Sequence, residues 1–221
     1  MFSQPKDSSH TGPSSMAKNR KINELTFKLG AGIPQGDFAD KTLNNPEAGL
    51  AKTGVLFEIA LSHELNESLY FSLMTQFQFN ELENEKFSAN ATPWRMNHFM
   101  AGIGTIFKLS NKTSITSRFM LGYSSIGSPS VGFPSLGDPT LGDTLGPPTI
   151  ESVNRGSFSC LVGLGLKIKT TKRTDLLIAA DYFGANVDFK TLIIKGYTIT
   201  TTNLEQQIRM VNLSIGFVFK I

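Results

Sequence analysis

Gln207–Ile221, QIRMVNLSIGFVFKI, is the stretch from which the chain is read. Val211, Leu213, Ile215, Phe217, Phe219 and Ile221 stand at every second position, with Asn212, Ser214, Gly216, Val218 and Lys220 between them. A period of two is the signature of a β-strand with one apolar and one polar or small face. At the edge of a soluble sheet, such an aromatic strand would expose a row of unpaired backbone groups. Pairing it with the first strand closes a barrel and removes that edge.

Moving outward from this strand, the same alternation recurs. It is found at 22–32 (Leu25, Phe27, Leu29, Ala31), 51–61 (Val55, Phe57, Ile59, Leu61), 68–80, 95–108, 114–124, 156–169 and from Leu176 onward. Strand seven is the least regular, because Leu177 and Phe183 fall on its polar face. The connections alternate long and short. The long ones, 33–49, 81–93, 125–153 and 184–205, are rich in Gly, Pro, Asn or Asp, or hold a possible hairpin, TLIIKGYTIT. The fold expected is an all-β, eight-stranded antiparallel up-and-down barrel over 22–221, with a ten-stranded version if 187–194 and 197–202 form an extra hairpin. Glycines 30, 54, 102, 104, 122, 163, 165 and 216 share the polar face. A soluble barrel holds large apolar residues inside; here the small and charged face reads as the interior, and the apolar face meets lipid.

Composition is compatible with this and excludes several classes. Lys and Arg total 21 against 18 Asp and Glu, for a net charge of +3, and no basic cluster with interleaved aromatics marks a nucleic-acid binder. Cys160 is the single cysteine, so no disulfide forms within a monomer. No apolar run approaches the roughly 18 residues of a membrane helix, whereas a membrane barrel gives only a weak hydropathy signal. Residues 1–21 are polar and rich in Ser, Pro and Lys, and read as a disordered leader without the apolar core of a signal peptide. The expectation is a mature chain whose export signal is removed. If the chain is not exported, a soluble lipocalin-like binding barrel is the reading.

The pattern resembles the small outer-membrane β-barrels of Gram-negative bacteria, the OmpA/OmpX-like group. The resemblance covers 22–221 and rests on the eight alternating segments, the loop GIPQGDFAD at 32–40 and the terminal SIGFVFKI at 214–221. The last residue, Ile221, departs from the commonest aromatic ending, although Phe217 and Phe219 keep the aromatic phase. The resemblance implies an outer-membrane location, short periplasmic turns, long extracellular loops, contact with outer-membrane lipid, a monomer and no cofactor.

On the interior face the sequence places Glu24, Lys28, Lys52, Glu58, His98, Lys108, Arg118, Lys167 and Asp181. Lys28, Glu58 and Arg118 fall near mid-height. A buried charge without a partner costs several kcal/mol, so these three are expected to form a network that plugs the lumen. Cations outnumber anions on this face, so an open pore would prefer anions. Trp94, Tyr70, Tyr123 and Tyr182 are candidates for an interfacial aromatic belt. His98 has no local His-x-Ser partner, and neither a nucleophile elbow nor a metal spacing is present, so the chain is expected not to be an enzyme. Expected function is structural or surface-interacting, through loops 33–49, 81–93, 125–153 and 184–205 that meet an extracellular partner; a narrow pore or small-solute carrier is the second reading.

Overall fold

A computed structural model describes residues 23–42, 45, 47–83, 90–132, 149–150, 152–195 and 198–221. The leader 1–21 and parts of the loops 81–93 and 125–153 lie outside the described residues. Eight strands form the wall: β1 Asn23–Gln35, β2 Gly54–Glu64, β3 Leu69–Asn80, β4 Trp94–Lys108, β5 Thr113–Gly127, β6 Asn154–Lys169, β7 Thr174–Lys195 and β8 Thr198–Lys220. Each is antiparallel to its neighbours in sequence, and β8 pairs with β1 to close the barrel. A separate small sheet joins Asn90–Ala91, Val131–Gly132 and Thr149–Ile150.

The register is unbroken throughout the wall. Straight across from Glu24, the partners are Ser62, Ser72, Gly102, Met120, Leu161, Phe183 and Met210, and the circuit returns to β1 at Pro34, ten residues above its start. With a rise of 3.3 Å per residue and 4.8 Å between strands, that stagger tilts the strands by about 40°.

Alternation then sorts the side chains. Outward stand Leu29, Phe57, Phe77, Phe99, Phe119, Leu121, Leu164, Ile178, Leu213, Ile215 and Phe217, all exposed. Such a surface is stable only against lipid; contiguous apolar patches of a few hundred Å² are already rare in water. Outward aromatics gather in two girdles. Phe71, Phe107, Phe217 and Phe219 lie toward the short turns, and Phe57, Phe77, Phe79, Phe99, Tyr123, Phe158 and Tyr182 toward the loops.

The three short turns, 65–68, 109–112 and 170–173, are built alike. The second residue of each turns its side-chain oxygen back on the chain. Asn66 Oδ1 accepts from the Ser68 and Leu69 amides, Ser110 Oγ from Lys112 and Thr113, and Thr171 Oγ1 from Arg173 and Thr174, at 2.9–3.2 Å. An Asn, Ser or Thr at that place satisfies two amides that the tight reversal leaves without ladder partners.

Two expectations change here. The stretch 184–205 is not a long loop: β7 and β8 stay paired, residue for residue, up to Lys195 opposite Thr198. Nor does it add strands, because the same two strands simply lengthen, so the barrel is eight-stranded. β6 accompanies β7 only as far as Ala185, and β1 accompanies β8 only as far as Arg209. Beyond those points the pair continues as a two-stranded ribbon of roughly 30 Å at 3.3 Å per residue, its base (Val187, Phe189 and Gln206) buried against the cap.

Candidate functional site in the lumen

The lumen is filled in layers. Lowest, beside the short turns, Lys167 Nζ bonds both carboxylate oxygens of Glu24 at 2.7 and 2.8 Å, and Lys220 Nζ lies 2.8 Å from Asp175. Tyr70, expected in a belt, points inward instead and donates its hydroxyl to the Ser117 carbonyl at 3.1 Å.

The next layer holds the charges expected to form a plug, and one more. Lys28 and Glu58 are direct cross-strand partners, with Nζ 3.0 Å from Oε2. Arg118 spans the lumen as a fork. Its two terminal nitrogens reach Glu58 at 2.8 and 2.9 Å, while Nε and Nη2 reach Asp181 at 2.8 and 2.7 Å. Asp181 also accepts from Lys28 at 3.3 Å. Two cations and two anions thus form a closed, neutral quartet, with doubly bonded Arg–carboxylate geometry on both sides, the strongest form of the contact. Glycines set the space around it. A Cβ on Gly163 would fall 1.9 Å from Asp181 Oδ1, and one on Gly104 2.2 Å from the Tyr70 ring. Between the quartet and the lowest layer lies a small cavity of about 50 Å³, lined by polar groups such as Glu24, Ser62 and Lys167 and by apolar ones such as Ile106, Leu177 and Val218. That is room for a few waters.

Above the quartet the interior turns apolar. Met74, Met96, Met100, Met120, Met210, Leu161, Phe183 and Ile208 are fully buried in one cluster. His98 lies within it, its ring 4.3 Å from that of Phe183 and its Nδ1 2.7 Å from Ser124 Oγ. On one side Gln76, Gln78 and Asn80 form a ladder along β3 that ends on the Gly32 and Lys52 carbonyls. Methionine on these strands occupies the positions that carry charge lower down, so the interior face is mixed along its height.

A cap closes the top. The 3₁₀ turn Gly36–Phe38 folds over the mouth and buries Phe38 completely. Trp94 packs edge-on between Phe38 (5.3 Å between ring centres) and Phe189 (5.8 Å), and its Nε1–H donates to the Gly49 carbonyl at 2.9 Å. Trp94 is therefore a buried cap residue and not part of a belt; Tyr123 and Tyr182 do face outward.

Lys52 and Lys108 leave the lumen. Strand β2 starts at Gly54, so Lys52 sits in the rim loop, where its Nζ is 2.9 Å from Glu83. Lys108 is exposed at the end of β4. Their loss removes the cation excess: among the described residues, Lys28, Arg118, Lys167 and Lys220 pair with Glu24, Glu58, Asp175 and Asp181. The basis for anion preference falls with it. Glu83 meets both Lys41 and Lys52, and their hydrogen bonds hold its carboxyl down at about 2. A lowered folded value adds stability above the ordinary carboxylate range, and that stability is lost as pH falls from about 4.5 through about 2. We expect the protection of amides in the cap, measured relative to their intrinsic exchange rate at each pH, to fall over that window in the intact protein and to stay flat there in Glu83→Gln.

No family model matches the sequence, and no curated protein matches it. Solved structures do match across nearly the whole chain. OprG of Pseudomonas aeruginosa is 9% identical, covers 91% of this chain and 95% of its own, and gives a TM-score of 0.55. Neisserial surface protein A is 15% identical over 90% and 97%, with a TM-score of 0.53. A major outer membrane protein of Thermus thermophilus is 9% identical over 90% and 99%, at 0.52. This is the fold of a small outer-membrane β-barrel. An outer-membrane barrel of this size has an interior that side chains can fill, and the quartet, the methionine cluster and the aromatic cap fill this one. Among the described residues, no group of three His, Cys, Asp or Glu is placed to hold a metal ion.

Proposed function

We propose that this outer-membrane barrel is a closed anchor that displays its loops, above all the β7–β8 ribbon, for interaction at the cell surface. The observation that carries the reading is the contrast between a lumen shut at three levels and a ribbon that rises past its neighbours with neither outer edge paired to a further strand among the described residues. Unpaired strand edges are templates for an incoming extended segment. The name of the Neisserial surface protein A, whose fold this chain shares, is in keeping with such a role.

Two arms test the reading. In planar bilayers the intact protein is expected to give no conductance steps. Cells displaying it are expected to adhere to coated surfaces better than cells displaying a chain with 187–206 replaced by a two-residue turn. Stable open steps would instead favour a narrow pore, the reading that the small cavity below the quartet supports. Equal adherence of the two displayed chains would remove the interaction role.

A further inference from the structure

Around the lower wall, Ile115, Leu166, Ile178, Ile215 and Leu29 are successive cross-strand partners, from β5 through β6, β7 and β8 to β1. All five face outward and form a continuous apolar ridge. The next outward row reads Ser117, Leu164, Ala180, Leu213 and Ala31, so small residues interrupt it. Between the two rows lies an open apolar groove of about 660 Å³, floored by Gly30, Gly165, Ala179 and Ser214. The ridge climbs as it crosses the wall. Ile115 is two residues past the start of β5, Leu166 three before the end of β6 and Ile178 four past the start of β7. Ile215 is five before the end of β8, and Leu29 six past the start of β1. Four steps of about 4.8 Å make the groove about 19 Å long, and the strand tilt of about 40° lifts it by about 12 Å, within the roughly 15 Å of one hydrocarbon leaflet.

At the foot of the groove the rim is basic. Lys108 ends β4, Lys112 closes the turn 109–112, Lys169 ends β6, and Lys172 and Arg173 lie on the turn 170–173; all are exposed. The Lys169 amide donates to the Lys112 carbonyl at 2.8 Å, which sets the two turns side by side. Neither turn holds an Asp or Glu, whereas the third short turn carries Glu67 with Glu64 beside it. Asp175, just past the second basic turn, is already bonded to Lys220. Cations are thus gathered in the sector where the groove begins, Lys112 being three residues from Ile115. Lysines at the end of a membrane wall lay their stems along apolar surface and hold their charge at headgroup level, where anionic lipid is the counter-charge. An apolar groove that leaves the same place and rises into the hydrocarbon suits the tail of that lipid. We propose that this sector holds an anionic glycerophospholipid of the leaflet on the short-turn side, its phosphate among Lys112, Lys169 and Lys172 and one acyl chain along the groove. This inference rests on the lipid-facing wall and does not depend on the surface role.

Phosphatidylglycerol and phosphatidylcholine with the same acyl chains are the probes. The full-length protein is refolded in detergent, exposed to equal amounts of the two lipids, and the lipid it retains is measured by native mass spectrometry. Expected is about one phosphatidylglycerol per barrel, held in preference to phosphatidylcholine. Each cation near anionic lipid strengthens the attraction roughly fivefold, so Lys112→Gln with Lys169→Gln and Lys172→Gln should lower that retention at least about tenfold. Ala180→Leu fills the groove from its exposed side, leaves every charge in place, and should lower retention severalfold through lost packing. The boiled and unboiled bands in SDS show that each variant still closes. Equal retention of the two lipids by the intact protein, or unchanged retention in either closed variant, would overturn the site.

Discussion

Replacing Glu58 with alanine is expected to destabilise the barrel by about 3–5 kcal/mol, the usual consequence of removing one member of a buried ion pair. Glu58 is 1% exposed and is bonded to both cations of the quartet. Without it Lys28 and Arg118 share only Asp181, and one positive charge stays uncompensated at mid-membrane height. The matched double replacement, Lys28→Met with Glu58→Met, should recover most of the loss, because it leaves Arg118 and Asp181 as a neutral pair with two hydrogen bonds. Urea unfolding in lipid vesicles measures both. If Glu58→Ala alone cost less than about 1 kcal/mol, the quartet would be a solvated set of charges and not a plug.

The second large effect is placed at the seam. Gly216 faces Lys28 across the β8–β1 junction. A Cβ there would stand 2.0 Å from the Phe27 carbonyl oxygen and 2.8 Å from Lys28 Cα, which are backbone atoms that cannot step aside. Gly216→Val should therefore prevent closure. In SDS, a closed barrel migrates differently boiled and unboiled, because every strand edge is paired; the variant should give the same band in both. Gly36→Ala is the control. Nothing lies within 4 Å of its Cβ, so only its positive φ of 58° opposes the change, and the band shift should survive.

How far the sequence alone carries these arguments differs along the chain. Strand phase is legible wherever lipid imposes it, since only the outward face must be apolar. Lys28 and Glu58 come together for a local reason: they are mid-strand on consecutive strands with one hairpin register. Alternation places Asp181 inside but not in the network. Its height depends on the ten-residue stagger accumulated around the wall, and Leu177 and Phe183 blur the pattern of its strand. The ribbon past Ala185 reads as loop and possible hairpin because it rises clear of the bilayer and no longer has a lipid face to pattern it. Methionine inside the barrel breaks no rule that alternation can detect. Lys52 misleads for the opposite reason: the alternation continues through it, but the strand starts only at Gly54, while Lys108 is the last residue of its strand and stands exposed at its end. The inward turns of Trp94 and Tyr70 depend on partners, Gly49 and Ser117, that are remote in sequence.

The unbroken register also constrains how the gene can change. The circuit from Glu24 to Pro34 passes through all eight strands without a bulge. Deleting a single codon within a strand would invert every side chain on one side of the cut, sending residues such as Glu58 or Arg118 into lipid and Phe57 or Phe119 into the lumen. Length can therefore drift within the wall only in steps of two. Single-codon drift is confined to the connections, so in lineages descended from this chain the surface loops should diverge in length while the wall keeps its parity.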